Sequence, residues 1–102
     1  MRMMLAYITC RDETEARKIS MYLIKKRLIA CANIFPIKSL YLDKGKVIKN
    51  SENVIIAKTT DKRYKELEEE VRRVHSYKVP CILRINAGAN KEYESWAVSE
   101  IK

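Results

Sequence analysis

The sequence predicts a single α+β domain of the split βαβ class, with element order β-α-β-β-α-β and a terminal helix. Three observations carry this. Four apolar runs suit strands, at residues 3–8, 28–32, 54–57 and 79–85. Three other segments repeat apolar residues at three- and four-residue intervals, as helices with one buried face do. Between them, Leu28 to Thr60 holds two β-capable arms joined by one Lys44-Gly45 turn, a long hairpin. The 102 residues support one core, spanning 1–102 as one domain.

Met3 to Ile8 is almost continuously apolar, as in a strand at the centre of a sheet or covered on both faces. Asp12 stands three residues before Glu15, the Asp form of the capping-box spacing. Ala16, Ile19 and Leu23 then give the first helix its inner stripe. Lys25, Lys26 and Arg27 place positive charge at its C-terminal end, where the helix dipole favours it. Leu28 to Ala32 has the composition of a buried strand. Pro36 has no N–H for a ladder, so it marks a bulge or an edge. Leu40 and Leu42 alternate with Tyr41 and Asp43, which gives this arm two different faces. Val54 to Ala57 is the buried part of the return arm, and Lys49-Asn50-Ser51 its exposed, distal part.

Asp61 is the expected cap of a second helix, with Tyr64, Leu67, Val71 and Val74 as its stripe. Glu66, Glu68, Glu69, Glu70, Arg72 and Arg73 fill the other face and pair at i,i+3 and i,i+4, as solvated charges do. Val79 to Ile85 is the fourth strand and Asn86 to Ala89 a loop. Asn90 is the expected cap of the last helix, whose inner face is Tyr93, Trp96, Ala97 and Ile101. The arrangement is ferredoxin-like.

Each hairpin arm is more than ten residues long, against ~5–6 for an ordinary strand. Such a hairpin projects beyond a core built by so short a chain. Its tip either moves in solvent or packs on another subunit. Packing on another copy is the expectation.

Composition narrows the function classes. The formal charge of +8 raises nucleic acid or an anionic surface as partners. Yet the cations are spread from Arg2 to Lys102, many alternate with glutamates, and no block of five or six like charges occurs. RNA-binding sheets of this fold stack bases on aromatic residues of an inner strand; here that strand offers Val54-Ile55-Ile56-Ala57. A solvated basic surface and no nucleic-acid partner is the reading. No run reaches the ~18 apolar residues of a membrane span. The short apolar start, running directly into Arg11-Asp12-Glu13, reads as a strand rather than a signal peptide, so the expected compartment is the cytoplasm. Cys10, Cys31 and Cys81 contain no Cys-x-x-Cys pair and read as buried structural thiols.

Several enzyme templates fail. Gly45 and Gly88 are the only glycines, so no glycine-rich phosphate loop exists. No His-x-x-x-His spacing is present, and His75 is the lone histidine. It follows the second helix, where it could bind a metal, a proton or an anion, or satisfy the carbonyls of that helix end.

At Ala30-Cys31-Ala32-Asn33 the chain resembles the CutA divalent-cation tolerance proteins. That family has an Ala-Cys-Ala-Asn-like strand, a Tyr-x-x-x-Gly-Lys turn and a Glu. A Lys-Thr strand end, a His-Pro-Tyr-x-x-Pro segment and a Tyr-x-x-Trp helix follow. The counterparts here are Tyr41 with Gly45-Lys46, Glu52, Lys58-Thr59, then His75-Ser76-Tyr77-Lys78-Val79-Pro80 and Tyr93-Glu94-Ser95-Trp96. Asp43 stands where relatives usually have Trp, Ser76 replaces the Pro, and the often acidic loop is Asn86-Ala87-Gly88-Ala89.

The resemblance implies a homotrimer with the architecture of PII-type signal proteins, not an enzyme. It implies association with copper or another divalent cation through Cys31 and His75, with no cofactor required. It also implies a cleft between subunits lined by Asn33, Glu52, Lys58, His75 and Tyr77. Thiolate and imidazole suit copper or zinc, and a carboxylate can complete such a site. Two alternatives stand beside it: a PII-like module in which Lys58 and His75 hold a small anion, and a purely structural trimer.

Overall fold

The computed structural model describes residues 2–102. The chain runs β1 (Met3–Cys10), α1 (Glu13–Lys25), β2 (Cys31–Asp43), β3 (Lys46–Thr60), α2 (Tyr64–Val74), β4 (Ile82–Ala87) and α3 (Lys91–Glu100). The strands form one antiparallel sheet in the order β2-β3-β1-β4. Each βαβ unit is thus split by a strand of the other, as the sequence predicts.

Strand alternation sorts the residues onto two faces. Ala6, Ile8 and Cys10 of β1 lie opposite Ala57, Ile55 and Asn53 of β3. This face packs on Ala16, Ile19 and Leu23 of α1 and on Tyr64, Leu67 and Val71 of α2 to make the main core. Val74, expected in the α2 stripe, is half-exposed because the helix ends there, beyond its packing against the sheet. The second face carries Leu5, Tyr7, Phe35, Leu83 and Ile85. Helix α3 packs over one part of it, with Ala97 and Ile101 buried and Lys58 Nζ 5.4 Å from the Tyr93 ring. The rest is open. Trp96, expected on the inner face of α3, packs on Tyr93 and remains about half exposed.

Helix boundaries follow the local chemistry. Asp12 Oδ1 accepts from Glu15 N at 2.9 Å, the expected cap of α1. At its other end, Leu28 N donates to Leu23 O and Arg27 N to Ile24 O, with Arg27 at φ +60°. That is a Schellman closure with Arg in the position glycine usually takes. It turns Leu28 and Ile29 into the core as a bend, so β2 starts at Cys31, later than the apolar run suggests. Two caps differ from expectation. Asp61 forms a turn with its neighbour Lys62 N, and α2 starts only after Arg63, without a side-chain cap. Asn90 occupies the N-cap position of α3, but its side chain donates to Glu92 and caps no helix N–H. The fourth strand also starts later, at Ile82, because Pro80 lacks a ladder N–H and 75–80 crosses the end of the sheet.

The hairpin register is unbroken from Cys31↔Lys58 to Asp43↔Lys46. Pro36 pairs with Asn53 without a bulge, and β2 is an edge strand, which settles the alternatives for that proline. Lys44 (φ +52°) and Gly45 (φ +79°) make a type I′ turn. From Ile37↔Glu52 outward the two arms have no third strand beside them. This ribbon gives the chain its 46 Å long dimension. Leu40, Leu42 and Val47 near its tip are 68%, 72% and 64% exposed.

Candidate functional site

Two groups of side chains sit at different levels along the sheet, one level with the end of β1 at Thr9 and Cys10 and the other level with Leu5. The first gathers where α2 ends. His75 closes that helix, and its ring is wholly buried. Its Nε2 lies 2.8 Å from Thr9 O, and its Nδ1 lies 3.0 Å from Tyr77 N. One neutral tautomer satisfies both: Nε2–H donates to the β1 carbonyl, and Nδ1 accepts from the Tyr77 amide. The ring therefore ties α2 to β1, rather than satisfying the carbonyls of its own helix.

Glu15 lies beside it, Oε2 at 3.9 Å from His75 Nδ1. Glu15 Oε1 accepts from Arg11 N and Oε2 from Ser76 N, each at 2.8 Å. Burial alone would raise the Glu15 carboxyl, but the Ser76 and Arg11 hydrogen bonds outweigh it and hold the group below its ordinary value. Cys10, fully buried at the end of β1, completes the set. Ligand atoms of Cys10, Glu15 and His75 all lie within 4.8 Å of one another. Burial, followed by the negative charges of Glu15, Asp12 and Glu52, pushes the Cys10 thiol up to about 12.

Tyr77 extends the group toward the hairpin. Its hydroxyl donates to Glu52 Oε2 at 2.5 Å. Burial, then that carboxylate, holds the phenol in its neutral form well above the usual pKa. Glu52 itself is buried at the root of the free ribbon, beside a concavity of about 500 Å³ whose walls include Pro36, Lys38 and Asn53. The fold thus joins Glu52, His75 and Tyr77 into one connected cluster.

Cys31 and Lys58 form the second group. They face each other across β2 and β3, with Lys58 Nζ 4.0 Å from Cys31 Sγ. Lys58 also pairs with Leu5, whereas His75 reaches Thr9; these positions are four steps apart along β1, roughly 13 Å of strand. Asn33 lies one row nearer on the open face, exposed, opposite Ile56. Within one chain, the thiol beside His75 is therefore Cys10, and Cys31 belongs with Lys58 and Tyr93.

Cys10 and Glu15 were absent from the site expected on sequence. Cys10 reads as the last apolar residue of a strand, and Glu15 as the partner in a capping box. Glu15 does reach back, but to Arg11 N, leaving its second oxygen for Ser76 across 61 residues of sequence. Only the packing of α1 against the end of α2 reveals that use.

The first group is poor in nucleophiles, since the thiol is protonated and both imidazole nitrogens are engaged. As a donor set it fits a borderline or soft divalent ion: one sulfur, one nitrogen and one carboxylate. Its imidazole already gives one N–H to a backbone carbonyl, the usual support of a ligating histidine.

The family model described as CutA1 divalent ion tolerance protein matches residues 4–100. A divalent-cation tolerance protein CutA of Thermotoga maritima is 41% identical over 95 residues, 92% of this chain and 94% of the relative. The solved structure of the periplasmic divalent cation tolerance protein CutA from Archaeoglobus fulgidus superposes with a TM-score of 0.95 at 37% identity, covering 98% of this chain and 99% of that one. CutA1 from Oryza sativa, at 29% identity, superposes with a TM-score of 0.96 over 100% of this chain and 95% of its own. With fold, motif order and sequence in agreement over nearly its whole length, the chain belongs to the CutA1 divalent ion tolerance family.

Proposed function

We propose that this chain is a homotrimeric, non-catalytic protein of divalent-cation tolerance that binds copper or a similar ion. The observation that carries the metal reading is the buried Cys10, Glu15 and His75 set, with all ligand atoms within 4.8 Å. Its donors fit copper or zinc, and binding would release the Cys10 proton. His75 Nδ1 can serve as a ligand only by giving up the Tyr77 amide. Metal occupancy is thereby coupled to the Tyr77–Glu52 contact at the hairpin root. Cys31 can join His75 only from a neighbouring subunit, given their separation along the sheet.

Self-association is supported by two surfaces. The ribbon carries exposed Leu40, Leu42 and Val47, and the open sheet face carries Phe35, Leu83 and Ile85. An isolated two-stranded ribbon is marginal in water, and a contiguous apolar face of this kind marks an interaction site. The cytoplasm suits three free cysteines. No helix among the described residues is long and apolar enough to cross a membrane.

Copper and zinc titration calorimetry on the reduced protein tests the metal reading. The expected result is integral stoichiometry per subunit, weakened by Cys10→Ser and by His75→Ala. A further loss in Cys31→Ser would extend the site across subunits. Binding indifferent to Cys10→Ser and His75→Ala would overturn the reading. Light scattering at micromolar concentration tests assembly. Three subunits are expected, and a Leu42→Glu/Val47→Glu variant should lose mass.

One observation favours anion binding in an intersubunit cleft as a second reading. Lys58 Nζ faces Cys31 and the Tyr93 ring, and among the described residues it pairs with no carboxylate. A small carboxylate or phosphate delivered to the open face would find an available cation there. A nucleotide and organic-acid screen without any thermal shift would remove this reading.

A further inference from the structure

On the helical side of the molecule, away from the open sheet face, a groove of about 490 Å³ runs between α1 and the end of α2. That volume falls among small-molecule sites. Its α1 wall is one stripe at three- and four-residue spacing, running along Thr14, Glu15, Lys18 and Tyr22. Tyr22 and the half-exposed Val74 supply the apolar surface, with the core residue Ile19 at the floor between them, and Arg11 and Lys18 supply cations.

The charge available in the groove is positive. Glu15 is its only carboxylate, and both of its oxygens are occupied by the Arg11 and Ser76 backbone amides. Lys18 has no ion-pair partner among the described residues. Among the described residues Arg11 pairs only with its exposed neighbour Asp12, a solvated contact of little energy. The far end is closed by the Tyr22 hydroxyl, held by Glu70 and Arg73, so the ring is fixed as a wall. An apolar trough with two available cations on it is complementary to an anion that carries an apolar body.

We propose that this groove is a binding site for a small organic anion of the medium-chain carboxylate class. The carboxylate lies between Arg11 and Lys18, and the chain lies over Ile19 and Val74 toward Tyr22. The site meets the Cys10–His75 cluster through Glu15 and the Arg11 and Ser76 amides it holds, so variants that test it leave these three residues intact.

Calorimetric titration with decanoate below its micellar range tests the site, against decyltrimethylammonium as the charge-reversed control. One decanoate per chain is expected. Lys18→Glu and Val74→Asp should each weaken binding by about tenfold or more, as loss of a charge-assisted contact or of the apolar wall implies. Both residues are substantially exposed, and melting curves verify that the variants fold. Amide shifts of the unmodified protein give a second readout, with changes expected around Arg11, Lys18 and Ser76. Three results would each overturn the proposal: no binding, equal binding of the cation, or shifts confined to the open sheet face and hairpin.

Discussion

The Tyr77 hydroxyl donates to Glu52 Oε2 at 2.5 Å, bridging the segment after α2 to the root of the projecting ribbon. The contact joins residues 25 positions apart in the chain and leaves both groups partly or fully buried. Tyr77→Phe removes the donor and strands a buried carboxylate, which costs about 1–3 kcal/mol. The expected outcome is a lower melting temperature at fixed subunit concentration, with smaller loss when Glu52→Gln is combined with it. Additive losses in the double variant would mean that the bond is not what couples these residues.

Glu15 holds two backbone amides from different parts of the chain. Glu15→Gln keeps the shape but loses the charge and one acceptor oxygen, so about 1–3 kcal/mol of destabilisation is expected at neutral pH. The pH dependence fixes the cause. A carboxyl held below its usual value contributes stability above the unfolded pKa of 4.5, lost as pH falls through the folded value. The acid limb of the melting profile should therefore flatten in Glu15→Gln. A limb as steep as in the parent protein would assign the acid sensitivity elsewhere.

The alkaline limb has the opposite sign. Cys10 is raised from 9.0 to about 12, and Tyr77 is raised above 10.0. For both, the unfolded chain loses its proton first. Their contribution is complete below the unfolded pKa values and disappears as pH rises toward the folded ones. Melting temperature should fall from about pH 9 upward, less steeply in Cys10→Ala, with Tyr77→Phe removing the part that begins near pH 10. In a Cys31→Ser/Cys81→Ser background, where Cys10 is the one remaining thiol, titration of the native thiol absorbance near pH 9 would contradict the buried, protonated Cys10.

Lys44 sits at φ +52° beside Gly45, in a turn whose two central residues both need positive φ. Asn tolerates that region far better than Lys, and Asn-Gly is the preferred pair for this turn. Lys44→Asn is expected to raise stability by up to about 1 kcal/mol without changing oligomeric mass. A decrease in melting temperature would show that Lys44 makes contacts beyond its own turn.

The sequence by itself determined the order of elements, the split βαβ class, the α1 cap, the long hairpin and the family. Periodicity and turn chemistry are local, and Asp12, Pro36 and Lys44-Gly45 act within a few residues of themselves or their strand partners. The two caps that failed, Asp61 and Asn90, also failed locally, because each side chain found a nearer partner than the helix N–H. What the tertiary structure decided is which side chains meet. Cys10, Glu15 and His75 come from β1, α1 and the end of α2, and each has an ordinary local reading: core thiol, capping residue, helix terminus. Their approach depends on how those elements pack, as does the separation of Cys31 from His75 along the sheet. Contacts spanning 61 residues, such as Glu15 to Ser76, leave no periodic trace in the chain. Sequence pattern records which face a residue turns inward; only packing sets what waits there.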